Sequence, residues 1–430
     1  MLEVASLPAF TEADPDTMGE GKLDPLGLAA LAERLAELIG PAMTARMARP
    51  RFLTAVAVCA QVTESLMDDT GVDGTIPELA FEWHFVEGLV RATDLPPEAR
   101  NNVPGTAKAG LARRNGVRMT GPGYLKTPTV FGFNGVYRPL AQGLGVIGRG
   151  GNVDELGYAL LRAWEREQGM AGFIARQPGS PGGAMRLNLE KAVAKTLRQE
   201  KAAGPHQLSV ELARCLRPDK PGRRERDAIW KALVEPAQPV RAELLESLLT
   251  VEEGDDERGT LARVRSSSGL SRSLRDAIDS IDAYEQVANL LLTAFDSIRF
   301  ECSSNGIRPV KPVDLARAND ALAEVSNDLP SAVARARRAL SKMGPGPEFN
   351  VELGRFEENH SPGELIGALL DRHEQVQAGK GGKRPWFERH PDGLIVRLGY
   401  ELIEPRPEVE PRYRHPYRVD AMLSFIEDLN

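Results

Sequence analysis

Residues 140–164 read LAQGLGVIGRGGNVDELGYALLRAW. A helix-like run ends at Leu144. Gly148-Arg149-Gly150-Gly151-Asn152 follows as a turn with glycine at most positions. From Leu156 to Trp164, apolar residues then recur at helical spacing and start a new helix. The local order is therefore helix, basic glycine turn, helix.

Most of the surrounding chain has the same helical period. Leu28, Leu31, Leu35 and Leu38 form one stripe, with Glu33, Arg34 and Glu37 opposite. A second helix is expected over about 51–68, and its apolar band is broad enough to be buried. A third is expected over 76–93, with Thr75 as N-cap and Pro77 and Glu78 in its first turn. Pro178-Gly179-Ser180-Pro181-Gly182-Gly183 has the composition of a linker. Short helices are expected beyond it at about 187–203, 207–217, 223–234 and 240–249. Residues 251–272, rich in charge and serine, suggest an exposed loop. A long helix over 274–300 and two more over 312–326 and 331–343 suggest an antiparallel bundle. After a helix near 363–377, residues 386–403 alternate around Pro391-Asp392-Gly393, the pattern of a β-hairpin. A last helix spans about 419–429.

The expected fold is mainly α: a multi-domain helical protein with a winged-helix-like module and a small C-terminal β-hairpin. The expected segments are a flexible arm at 1–23, a helical unit at 24–98 and a basic module at 99–176. A helical array at 184–250, a bundle at 251–345 and a helix-plus-hairpin unit at 346–430 follow. A length of 430 residues suits more than one core.

The net charge is −7, so any contact with a polyanion must come from a local patch. Such a patch is legible. Residues 101–153 contain no Asp or Glu. Arg100, Lys108, Arg113, Arg114, Arg118, Lys126, Arg138 and Arg149 all fall in residues 100–153, interleaved with Tyr124, Phe131, Phe133 and Tyr137. Cations suit phosphate, and aromatics either pack a small fold or stack on bases. Two other readings stand beside this one. Phe131, Phe133, Tyr137, Leu140 and Leu144 can be a core face with solvated arginines opposite, or the patch can meet an acidic protein.

This stretch resembles the end of a winged helix-turn-helix domain of the multiple-antibiotic-resistance type, over about residues 105–170. There a recognition helix gives way to a glycine and branched apolar residues, then a basic glycine-rich wing, then a return helix with paired leucines. The resemblance implies that Asn134, Tyr137, Arg138 and Gln142 face the major groove and that Arg149 sits at the wing tip. One departure is that residues 119–130 are rich in glycine and proline, so the helix before the recognition helix is short or absent. A second basic cluster, Lys380, Lys383 and Arg384 before Trp386, is a further candidate phosphate contact.

Motifs for chemistry are sparse. The six histidines form neither HxH nor HExxH, and the three cysteines lie far apart. No phosphate loop or nucleophile elbow is legible. Glu20-Gly21-Lys22 matches an acid-x-lysine pattern in letters only. No cofactor or metal is expected. No apolar run reaches bilayer length and the N-terminus lacks a secretory pattern, so a cytoplasmic protein with no membrane contact is expected. These features point to a non-catalytic nucleic-acid-binding subunit, acting on duplex DNA with other protein subunits. Its size suits a bacterial assembly such as a restriction or phage-defence complex. The alternatives are a helical protein adaptor and an enzyme whose site leaves no motif.

Overall fold

The computed structural model describes residues 24–252, 254 and 256–430. The expected arm at 1–23, with Glu20-Gly21-Lys22, lies outside the described residues. In chain order the first helices are α1 (Ala29–Ile39), α2 (Phe52–Thr63), α3 (Pro77–Arg91), α4 (Thr106–Arg114), α5 (Pro128–Phe131), α6 (Phe133–Gly143) and α7 (Glu155–Glu167). There follow α8 (Pro181–Gln199), α9 (His206–Cys215), α10 (Arg223–Leu233), α11 (Pro239–Leu248), α12 (Glu257–Ser266) and α13 (Arg272–Ser304). Next come α14 (Pro312–Ala318), α15 (Asp320–Leu340), α16 (Gly346–Leu353) and α17 (Pro362–Gly379). The antiparallel hairpin β1 (Phe387–His390) and β2 (Gly393–Val396) precedes the last helix, α18 (Val419–Leu429). The protein is therefore mainly α with a small C-terminal hairpin. No described helix is long and apolar enough to cross a membrane.

The chain forms two compact units. The larger holds Ala36–Arg275 and Pro416–Asn430, and the smaller holds residues up to Leu35 together with Asp276–His415. The expected boundaries near 98, 176 and 250 thus fall inside the larger unit. The expected 24–98 and 251–345 segments are each divided between the two units, after Leu35 and after Arg275.

The larger unit is built around α2. Its sequence is apolar on every face, and all twelve of its residues are buried. Phe52 stacks on Phe133 at 5.2 Å and meets Tyr137 at 4.9 Å, while Phe85 closes edge-on at 5.5 Å from Phe133. Helix α3 crosses α9 closely at Gly88, where a Cβ would stand 1.9 Å from the Ser209 carbonyl oxygen. Arg51 is buried against Glu225, with 3.1 Å from Nη2 to Oε2, and also donates to the carbonyls of Cys215 and Arg217. The smaller unit centres on the later turns of α13. There Phe295 meets His373, Trp386 and Phe387 at 5.0–5.7 Å.

Four local expectations change. Residues 178–183 are not a linker: Ser180 caps α8 by accepting from the Gly183 N–H at 3.1 Å, Pro181 takes the first helical position, and Gly182 and Gly183 are buried. Residues 251–272 are not a loop throughout. Asp256 caps α12, and Leu261 and Val264 are fully buried. The helices expected over 312–326 and 331–343 do not part at 327–330: α15 runs through with Pro330 inside it, and its start is set by Asn319 accepting from the Ala321 N–H. Thr75 is not the cap of α3; Ile76 is, with Pro77 following.

Candidate functional site

The basic stretch begins where α3 ends. Arg100 folds back to donate to the Leu89 and Ala92 carbonyls at 2.9 and 2.7 Å, closing the C-terminus of α3. Arg118 pairs with Glu87 of α3 at 2.9 Å and donates to the Gly204 carbonyl. Arg138 of α6 pairs with Glu78 of α3 at 3.6 Å. Arg113 also donates to the Val90 carbonyl of α3. Four of the eight cations thus hold this module to α3, whose carboxylates lie outside the acid-free stretch. Lys108, Arg113, Arg114, Lys126 and Arg149 remain exposed. Among the described residues Lys108, Arg113, Arg114 and Arg149 make no ion pair.

The end of α3 gathers further positive charge. Burial holds the Arg91 guanidinium below its ordinary range; Glu87 opposes this, and Arg118 and Arg113 add to it. His206, at the start of α9, is likewise lowered by burial and then by Arg118 and Arg91. Arg91, Arg113, Arg118 and His206 therefore share one neighbourhood with the carboxylate of Glu87. Arg91 and His206 lie outside the basic stretch and carried no signal of their own in the sequence.

The turn after α6 has one bridge, between Ile147 and Val153. Gly148 N–H donates to the Asn152 carbonyl, and Gly151 N–H to the Gly148 carbonyl, both at 2.9 Å. Arg149 is exposed at its tip. The Arg138 guanidinium lies beside the turn, 3.4 Å from where a Gly151 Cβ would stand. The glycine turn is thus closed by a single bridge and forms no pair of strands.

Helix α6 spends two of its four expected contact residues inside the fold. Tyr137 is a core residue: it is 1% exposed, and its hydroxyl accepts from the Ala48 and Arg49 N–H groups at 2.9 and 2.8 Å. Asn134 turns toward Glu82 and the Glu78 carbonyl. Helical geometry puts both on the face that packs against α2 and α3, which the sequence pattern shows only as mixed. Gln142 is half-buried, and α5, the helix before α6, is a single turn.

Behind α6 lies a buried carboxyl that the sequence reading missed. Glu82 of α3 is 1% exposed, and burial raises its pKa to about 7 against the pull of hydrogen bonds from Tyr124 and Asn134. Tyr124 Oη donates to Oε1 at 2.5 Å. Oε2 receives the Asn134 N–H at 3.3 Å and its Nδ2 at 3.4 Å. Gly132 must be glycine here, because a Cβ would stand 2.2 Å from Oε1. A cavity of about 250 Å³ opens beside this carboxyl, lined by Ile76, Glu78, Leu79, Pro128, Thr129, Asn134, Gly135 and Arg138 as well as Glu82. Cys59 lies close by, and burial pushes its thiol well up, away from the reactive thiolate.

Elsewhere the chemistry-bearing groups serve the fold. His84 is buried between Ser209 Oγ at 3.2 Å and Thr196 Oγ1 at 3.0 Å, and burial lowers its pKa to about 4. Ser209 is fully buried, so this pair meets no substrate. His373 donates from Nδ1 to the Pro25 carbonyl and accepts at Nε2 from the Trp386 N–H. In the second basic cluster Lys380 donates to the Asp24 carbonyl, whereas Lys383 and Arg384 are exposed at the C-terminal end of α17. Trp386 is stacked between Tyr400 and Arg299 and offers no free face to a base. Among the described residues no three His, Cys, Asp or Glu side chains are placed to hold a metal ion. No family model, curated protein or solved structure is significantly similar to the chain.

Proposed function

We propose that the chain is a non-catalytic nucleic-acid-binding subunit of a larger assembly, and that the larger unit makes the contact to phosphate. The observation that carries this is the exposure of Lys108, Arg113, Arg114 and Arg149 without an ion pair among the described residues, in a stretch with no carboxylate of its own. Charges left unpaired on an acidic protein remain free to displace counterions from a polyanion. Duplex DNA is the proposed ligand. Asn134 and Tyr137 are committed inside the fold, so binding rests on backbone contacts and discriminates weakly among sequences.

Fluorescence anisotropy with a labelled random duplex tests this. About four phosphate contacts give a salt slope of about −3 to −4, and a loss of about two orders of magnitude in affinity between 50 and 200 mM salt. A second reading is favoured by Leu111, Val117, Val130 and Phe131, which expose 41–52% of their surface in the same stretch. Apolar residues of this kind suit a protein partner. Absence of salt-dependent binding to duplex or single strands at micromolar protein overturns the first reading in favour of this one.

A further inference from the structure

The Glu82 cavity has features that the phosphate-contact reading does not use. Its floor is a carboxyl buried without a cation. The groups acting on it are the Tyr124 hydroxyl, the Asn134 amide and the backbone N–H groups of Asn134 and Phe133. All are neutral. A desolvated carboxylate whose donors are all neutral is costly; either a proton or a cation within hydrogen-bond reach relieves it. Oε2 is also poorly served. Its Asn134 donors stand at 3.3 and 3.4 Å, outside the ordinary 2.7–3.2 Å range for N–H···O bonds.

The cavity wall adds Glu78 and Arg138, so it holds two carboxyl groups against one guanidinium. The Glu78–Arg138 contact is loose, at 3.6 Å, and Arg138 is 40% exposed. A second cation can therefore share Glu78 without breaking a buried pair. Ile76, Leu79 and Pro128 supply apolar wall. The volume of about 250 Å³ is enough for a small organic molecule and too little for a large one.

We propose that this cavity binds a small organic cation of the amidinium or guanidinium type, whose N–H groups reach Glu82 Oε2 and share Glu78. The planar, multiply donating head fits a carboxylate oxygen with open valence, and the apolar wall takes the remainder of the molecule. Cys59, Tyr124 and Asn134 face Glu82 from α2, the loop before α5 and α6, with Glu78 and Arg138 at the wall. Burial brings the Glu82 carboxyl to about 7. Binding of a permanent cation is therefore strongest when Glu82 is ionised.

The test is calorimetry on the full chain with benzamidine, using benzamide as the neutral isostere and no nucleic acid present. Benzamidine is expected to bind and benzamide to bind at least tenfold more weakly. Benzamidine affinity is expected to rise by up to tenfold per pH unit while Glu82 is protonated, and to level off above about pH 8. Glu82→Gln is expected to remove this pH dependence. Leu79→Trp, which fills the cavity from its apolar wall, is expected to abolish binding while leaving the melting temperature near wild type. This second variant keeps the test decisive if Glu82→Gln fails to fold. Equal binding of benzamidine and benzamide, no saturation by either at millimolar concentration, or an affinity independent of pH overturns the proposal. None of these outcomes bears on duplex binding, which is measured separately.

Discussion

Tyr124 Oη donates a 2.5 Å hydrogen bond to Oε1 of Glu82, joining the loop before α5 to the middle of α3 inside the larger unit. The same carboxyl receives the first N–H groups of α6. A single buried acid thus fastens both the glycine- and proline-rich loop and the helix that follows it.

That arrangement makes stability pH-dependent in a specific direction. The pKa of Glu82 is raised to about 7 in the fold, above its unfolded value. Its contribution is fully present below the unfolded pKa of about 4.3 and is lost as pH rises through about 7, because only the unfolded chain ionises freely in that window. The whole loss is about 4 kcal/mol, most of it between pH 5 and 7. Urea unfolding of wild type and Glu82→Gln between pH 5 and 8 is expected to show this fall in wild type and not in the variant.

Tyr137 and Arg149 should separate stability from binding. Tyr137→Phe leaves the N–H groups of Ala48 and Arg49 without their buried acceptor and is expected to cost about 1–3 kcal/mol, with duplex affinity unchanged. Arg149→Ala removes an exposed charge at a turn tip. It should leave the melting temperature in place while flattening the salt slope by about one unit. Thermal melts and anisotropy on the two proteins check both halves of the comparison.

Glu225→Ala is expected to destabilise strongly. It strands the Arg51 guanidinium in an almost fully buried position. Breaking one side of such a pair costs about 3–5 kcal/mol. The carbonyls of Cys215 and Arg217 still accept from Arg51, which places the expected loss at the lower end. A urea midpoint equal to that of wild type would show that the pair contributes nothing.

At Gly88 the expected effect is steric. A Cβ there meets the Ser209 backbone oxygen, which has no flexible end to move aside. Gly88→Ala, favourable for helix propensity on its own, should therefore lower stability by about 1–3 kcal/mol as α3 and α9 are pushed apart. An unchanged or raised melting temperature would show that the two helices separate without cost.

Helix type and most helix positions were determined by the sequence alone. Helices α10, α17 and α18 follow from apolar spacing and end signals a few residues away, and the hairpin follows from the Pro391-Asp392-Gly393 turn. Local signals failed where a residue has two uses. Ser180-Pro181-Gly182-Gly183 has the composition of a linker, yet buried surroundings make it a capped helix start. The presence of eight cations in residues 100–153 was also legible, and so was the absence of acids in that run. What each cation does was decided only by tertiary structure. Arg118 and Arg138 meet Glu87 and Glu78, residues 31 and 60 positions away, whereas Arg114 and Arg149 meet no carboxylate among the described residues. Glu82 stands at helical spacing from Leu79, Phe85 and Val86, so its place on the apolar stripe of α3 is legible in the sequence. Its raised pKa is not, because it comes from desolvation by segments brought together only on folding.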